Sequence, residues 1–370
     1  MDAILGHYAG EGIGFTLVRS GGEILLVFPD APERHEPRLV RDGDGWRISG
    51  GFLEGVPVGF TDGGMMAGRI VSLERTNRPP AREPGSGLLA PTWVEDARFT
   101  DLWMSHPANG SVLELPPGVP LHAFVQWLTA RDAVIFHGSN RRDIDEFRPR
   151  RTSTELRDRW GRGNLAAVYG THDGLWAMFF AVVDRSRLRG SIRNGVTRFS
   201  RPDGDHLDVY RFSVSSVSLP DRPWTEGALY LLPRTTFDRL PLYPDGPPSW
   251  EWASVAPVRP LARLPVLPED FPFLDRIGGH DDGPLLELAD LWDRVYAATV
   301  EAEPVGGGYR MVVDLEPTVL DRWSSLLTEF HPQAAVRIDL ATQPPTVQLS
   351  GPPAFLQVHD PTAGRRARGG

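Results

Sequence analysis

Ala133-Val134-Ile135-Phe136-His137-Gly138-Ser139 is the stretch on which the fold turns. Its apolar run is rich in β-branched and aromatic residues and is closed by Gly and Ser, so it reads as a buried strand. A histidine at the end of such a strand can reach into a cleft. Tyr169, in Ala167-Val168-Tyr169-Gly170-Thr171, stands 32 residues after His137 on the next predicted strand. An aromatic-rich helix follows over Leu175 to Val183. There Leu175, Met178, Phe179 and Val182 recur at the spacing of a buried helix face, while Trp176 and Phe180 share another face. Further on, Ser249-Trp250-Glu251-Trp252-Ala253-Ser254 places a glutamate between two tryptophans on a late strand.

Outward from this centre, residues 1–76 read as short strands: Gly14 to Val18, Glu23 to Phe28, Trp46 to Ile48 and Met66 to Val71. Ser20-Gly-Gly22, Asp42-Gly-Asp-Gly45 and Asp62-Gly-Gly64 supply the turn residues between them, which predicts a small antiparallel barrel or sandwich. Residues 77–91 read as a Pro/Gly linker and 92–278 as a mixed α and β unit. Residues 279–360 follow as a small α/β domain, with helices over Leu285 to Val300 and Pro317 to Phe330 and strands at Tyr309 to Val313, Ala335 to Leu340 and Thr346 to Leu349. The Arg-rich tail 361–370 reads as disordered.

Composition closes several routes. The chain has no Cys, which excludes disulfides, thiolate nucleophiles and cysteine zinc sites. All 39 basic residues are Arg, so a P-loop lysine and a Schiff-base lysine are impossible. A net charge of −9 works against non-specific grip on a phosphate backbone. No segment approaches 18 apolar residues in a row, and Met-Asp-Ala does not open a signal peptide. A cytoplasmic protein that makes no membrane contact is expected.

The order of strand-end His137, strand Tyr169 and late-strand Glu251 resembles the ADP-ribosyltransferase superfamily, in its diphtheria-toxin and poly-ADP-ribose-polymerase-like His-Tyr-Glu branch. The resemblance covers about residues 92–275. It implies an α+β fold whose split antiparallel sheet with flanking helices holds NAD in a cleft, with NAD as co-substrate and no metal. His137 would then bond the adenosine ribose. Gly138 would pair its backbone with the nicotinamide carboxamide, and Ser139 would add a hydroxyl. Tyr169 would stack under the nicotinamide, and Phe180, eleven residues on, would close the sandwich. Glu251 would grip the ribose 2′-hydroxyl and stabilise the developing cation. The stretch from Gly6-His-Tyr8 to Glu74-Arg75 resembles the lipocalin-like barrel appended to serine β-lactamase-type hydrolases, without their Ser-x-x-Lys.

Departures from the pattern shape the expected chemistry. Ala177 stands where polymerase relatives carry a serine on the carboxamide, so nicotinamide binding would be weaker or re-oriented. Ser249 stands where arginine- and guanine-modifying relatives carry Glu or Gln, which makes arginine a poorer target. The expected activity is mono-ADP-ribosyl transfer to a protein, nucleotide or small molecule rather than duplex nucleic acid. NAD glycohydrolase activity and a non-catalytic NAD or ADP-ribose binding module are the alternatives. An RNA 2′-phosphotransferase would need a second histidine and no terminal glutamate. Arg141, Arg142, Arg148, Arg150 and Arg151 read as a solvated loop or a pyrophosphate contact. His280-Asp281-Asp282 reads as a helix-initiating loop with Asp282 as N-cap, and Gly306 to Gly308 as a turn. The acceptor and the oligomeric state are left open.

Overall fold

The computed structural model describes residues 2–10, 13–30, 37–51, 53–68, 71–150, 155–158, 165–200, 206–242, 244, 246 and 248–361. Arg151 and the tail from 362 on lie outside them. The fold is mixed α and β and opens with a closed eight-stranded antiparallel barrel. Its strands are β1 (Gly6–Gly10), β2 (Ile13–Ser20), β3 (Glu23–Val27), β4 (Arg38–Asp42), β5 (Gly45–Ser49), β6 (Pro57–Thr61), β7 (Gly64–Ala67) and β8 (Val71–Thr76). β8 returns to β1 with Arg75 opposite Tyr8, so no edge is left unpaired. Alternate residues point inward, and Tyr8, Phe15, Leu26, Ile48, Met65 and Leu73 pack the interior. The β2–β3 hairpin turns on Gly21 and Gly22, whose φ of 55° and 88° suits a two-residue loop. The run Met66 to Val71 is not one strand. The chain leaves β7 after Ala67 through Gly68, at φ 58°, and residues 69–70 lie outside the described ones.

The middle part runs β9 (Leu88–Leu89), α1 (Ala97–Ser105), α2 (Leu121–Ala130), β10 (Val134–Ser139), β11 (Val168–Thr171) and α3 (Gly174–Val182). It continues with β12 (Ile192–Ser200), β13 (His206–Ser215), β14 (Gly227–Pro233), β15 (Asp238–Pro241), β16 (Pro248–Ser254), β17 (Ala262–Val266) and β18 (Gly278–His280). One antiparallel sheet has the order β15-β16-β11-β10-β14-β17. A second joins β12, β13 and β18, with β9 on β13. Helix α3 lies on β10 and β14, and α2 packs on α3. This face buries Phe124, Trp127, Phe136, Phe179 and Phe212. The opposite face of the larger sheet buries Ile135, Phe147, Tyr230 and Trp252.

Two boundaries differ from the sequence reading. Within residues 77–91, Leu88–Leu89 add a short strand to the second sheet, and the rest of the segment runs as turns and coil. Leu88 pairs with Tyr210, and the Phe212 N–H donates to the Gly85 carbonyl at 2.8 Å. The middle part also ends later than residue 278, because β18 pairs in parallel with β13 through His280.

The C-terminal part comprises α4 (Gly283–Ala298), β19 (Thr299–Val305), β20 (Gly308–Val313), α5 (Pro317–Phe330), β21 (Ala335–Asp339), β22 (Thr346–Ser350) and α6 (Pro353–Val358). Its sheet, β19-β20-β22-β21, is antiparallel throughout, in contrast to the parallel crossovers of an α/β domain. The helices bury one face each, and Trp292 meets Trp323 edge-on at 4.9 Å. Leu156, from the long β10–β11 connection, packs into this core. The neighbouring Arg157 N–H donates to the Phe330 carbonyl at 2.7 Å, and its guanidinium pairs with Glu329. Among the described residues no helix is long and apolar enough to cross a membrane.

Candidate functional site

β10, β11 and β16 are neighbours in the larger sheet, so the strands bearing His137, Tyr169 and Glu251 lie side by side. The β10–β11 ladder holds at one position, Phe136 opposite Thr171, whereas β10 stays paired with β14 as far as Ser139 opposite Ala228. The end of β10 carrying His137 to Ser139 therefore parts from β11. Across the parting, His137 Nδ1 lies 2.7 Å from the Tyr169 carbonyl oxygen. A carbonyl can only accept, so Nδ1 carries the proton and Nε2 keeps a lone pair. Burial lowers the His137 pKa, the Tyr169 bond opposes this and Arg185 adds to it, so the ring is neutral at physiological pH. Among the described residues nothing hydrogen-bonds Nε2.

Register fixes the faces. Thr171 stands opposite both Phe136 and Glu251, and Tyr169 opposite Ala253. Side chains alternate along a strand, so Gly138, Tyr169 and Glu251 share one face with Phe136. His137 and Trp252 leave the other face, where His137 meets the Phe147 ring at 4.7 Å. The structure thus brings Tyr169 and Glu251 together as diagonal cross-strand neighbours. It sets His137 behind them, at the edge of the gap.

Each remaining position has its own account. An added Cβ on Gly138 would lie 1.9 Å from the Ala177 carbonyl oxygen. The close approach of α3 is by itself enough to require a glycine here. Ser139 Oγ accepts the Arg141 N–H at 3.2 Å and shapes the turn. Tyr169 packs on Ala167, Leu240 and Ala253, and its hydroxyl donates to the Leu165 carbonyl at 3.1 Å. Phe180 meets Trp176 and Phe179 and lies under the Arg185 guanidinium at 5.6 Å, so Arg185 covers the ring expected to face nicotinamide. Glu251 is partly buried, and its N–H donates to the buried Ser249 hydroxyl at 3.1 Å.

No family model matches the chain, and no curated protein or solved structure is similar to it. The reading of the site rests on its geometry.

The loop arginines pair with nearby acids: Arg141 with Asp143, Arg142 with Glu226 and Arg148 with Glu146, all in exposed positions. Asp282 precedes α4 without capping it through its side chain. Its carboxylate instead accepts from the Ser191 N–H at 2.7 Å and lies 3.2 Å from His280 Nε2. Burial would raise the Asp282 pKa, yet these bonds bring it down to about 2. Among the described residues no group of three metal-ligating side chains converges.

Sequence reasoning passed over His172, which caps the end of β11 beside Glu251. Its ring stacks on Trp250 and its Nδ1 accepts from Trp252 Nε1 at 3.1 Å. Burial, with Arg239 and Arg198 nearby, pushes its pKa down to about 4. The signal was its position three residues after Tyr169. Its partners lie about eighty residues away and only the fold supplies them.

Proposed function

We propose that the chain is an NAD-dependent mono-ADP-ribosyltransferase whose catalytic carboxylate is Glu251. The observation that carries this reading is the adjacency of the three strands around a parting in the sheet, with Tyr169 and Glu251 on one face. The antiparallel order of their sheet and the single pairing position between β10 and β11 support this reading. His137 and Glu251 leave opposite faces, so no compact group can touch both. A group that reaches both must be elongated, as a dinucleotide is, with its adenosine ribose toward His137 and its nicotinamide ribose toward Glu251. The free Nε2 lone pair of His137 suits a ribose hydroxyl donor.

The chemistry needs little from the protein beyond a placed charge. The bond from ribose C1′ to the nicotinamide nitrogen breaks, and its electron pair leaves with a now neutral ring. Positive charge develops on C1′ and the ring oxygen, as in glycoside cleavage. A carboxylate against the 2′-hydroxyl stabilises that state more than the ground state. The acceptor then bonds C1′ and loses a proton. Tyr169 beside Glu251 offers an aromatic face to the cationic ring, worth roughly 0.5–2 kcal/mol.

A second reading, NAD hydrolysis, is favoured by Ser249. Its buried hydroxyl is turned back on the Glu251 N–H, so the place two residues before the glutamate presents no acceptor-binding group. Water would serve there as acceptor. Both readings share one test. Labelled NAD should yield free nicotinamide from the native chain, and Glu251→Ala should lower the rate by about a hundredfold to a thousandfold. Equal rates from both chains would remove Glu251 from the chemistry. Binding of NAD with no release from either would leave a binding module.

A further inference from the structure

His172 touches the residue on each side of Glu251. Its imidazole stacks on the Trp250 indole, centroids 4.7 Å apart at 22°, and stands edge-on to Trp252 at 6.3 Å. Its Nδ1 accepts from Trp252 Nε1 at 3.1 Å, which places the imidazole proton on Nε2. Trp250 packs against the core that holds Phe136 and α3, and Trp252 belongs to the core on the other face of the sheet, beside an irregularity in the β15–β16 ladder. One ring at the end of β11 therefore holds both neighbours of Glu251.

We propose that His172 is a positioning residue, which clasps Trp250 and Trp252 and thereby fixes the direction in which Glu251 presents its carboxylate. The inference rests on the reading of Glu251 as the catalytic group. Holding both flanking side chains pins the two peptide planes around residue 251, and the Cα–Cβ bond of Glu251 follows them. The clasp needs a flat ring and an acceptor in one side chain. Phenylalanine supplies only the first and asparagine only the second.

The surroundings keep the clasp in one state. Arg198 lies 4.8 Å over Trp250, and Arg234 and Arg239 lie 4.5 Å and 5.9 Å over Trp252. Arg239 Nε also donates to the Ser249 carbonyl, one residue before Trp250, at 2.5 Å. Asp132 and Asp208 are the acidic groups that act on the imidazole. The cations and burial hold His172 neutral, so Nδ1 stays an acceptor; a protonated ring would turn an N–H against the indole N–H.

Two variants and two readouts test this. In His172→Phe, kcat for nicotinamide release should fall about tenfold to a hundredfold, since a small misplacement of a catalytic group has that effect, while KM for NAD shifts less than about threefold. His172→Asn, which restores the acceptor, should recover part of the lost kcat. Independently of activity, the Trp252 indole proton, assigned by NMR with Trp252→Phe, should exchange slowly in the native chain and faster in His172→Phe. A His172→Phe enzyme with native kcat overturns positioning, whatever the indole does. Unchanged indole exchange overturns the clasp. A native chain that releases no nicotinamide would instead defeat the reading of Glu251, and indole exchange would then decide the clasp alone.

Discussion

Asp173 serves two partners from a buried place. It caps α3 by accepting the Trp176 N–H at 2.7 Å, and it accepts the Tyr210 hydroxyl at 2.8 Å. Burial still wins and pushes its carboxyl up to about 6, with the two hydrogen bonds opposing the rise. A folded pKa above the unfolded value means that folding favours the protonated form. The associated stability is complete below the ordinary carboxylate range of about 4 and is lost as pH rises through about 6. Asp173→Asn keeps a capping oxygen but cannot ionise. It should remove this slope and stabilise the middle unit at pH 7 by about 1–3 kcal/mol. Urea unfolding of both chains at several pH values measures this, and parallel pH profiles would contradict it. At this scale the strand positions of His137, Tyr169 and Glu251 were legible, because β-branched and aromatic runs surround them. His172 and Asp173 went unread, because the partners that give them meaning, Trp252 and Tyr210, arrive from distant strands.

Helix α3 rests on its sheet backbone to backbone, and glycines make that possible. An added Cβ would lie 1.9 Å from the Ala177 carbonyl at Gly138 and 2.0 Å from the Ala181 carbonyl at Gly227. Gly138→Ala must therefore lift the helix or bend β10, and it should destabilise the middle unit by about 2–4 kcal/mol in chemical denaturation. A variant with native stability and lost NAD cleavage would return Gly138 to a ligand-binding role. Elements with one apolar stripe were legible beforehand, as α4 and α5 show. Helix α2, Leu-His-Ala-Phe-Val-Gln-Trp-Leu-Thr-Ala, buries residues on most sides and so carries little contrast to read. β12, Ile-Arg-Asn-Gly-Val-Thr-Arg-Phe-Ser, is half-buried along most of its length and lacks clean alternation.

The parts of the molecule meet around the hairpins that border Glu251. Phe28 of the barrel meets Phe199 of β12 at 5.8 Å, and Leu242, just past β15, packs against the barrel core. Asp30 accepts the Ser86 hydroxyl at 2.6 Å and pairs with Arg211 of β13 at 3.3 Å. The barrel's turn chemistry was legible in its glycines, but its docking was not, since residues 77–91 look like a spacer until β13 is there to pair with them. Strand β16 itself is held by β11 and β15, so loosening the barrel should spare the nicotinamide side of the site. On the proposed function, acceptor contacts are expected from the hairpins it supports. Phe28→Ala combined with Asp30→Ala should leave nicotinamide release within about threefold of native, because the ladders around Glu251 remain. ADP-ribose recovered on protein and nucleotide by mass spectrometry of a treated lysate should fall further, per nicotinamide released. If release and transfer fall together, the barrel belongs to the catalytic unit and has no separate part in choosing the acceptor.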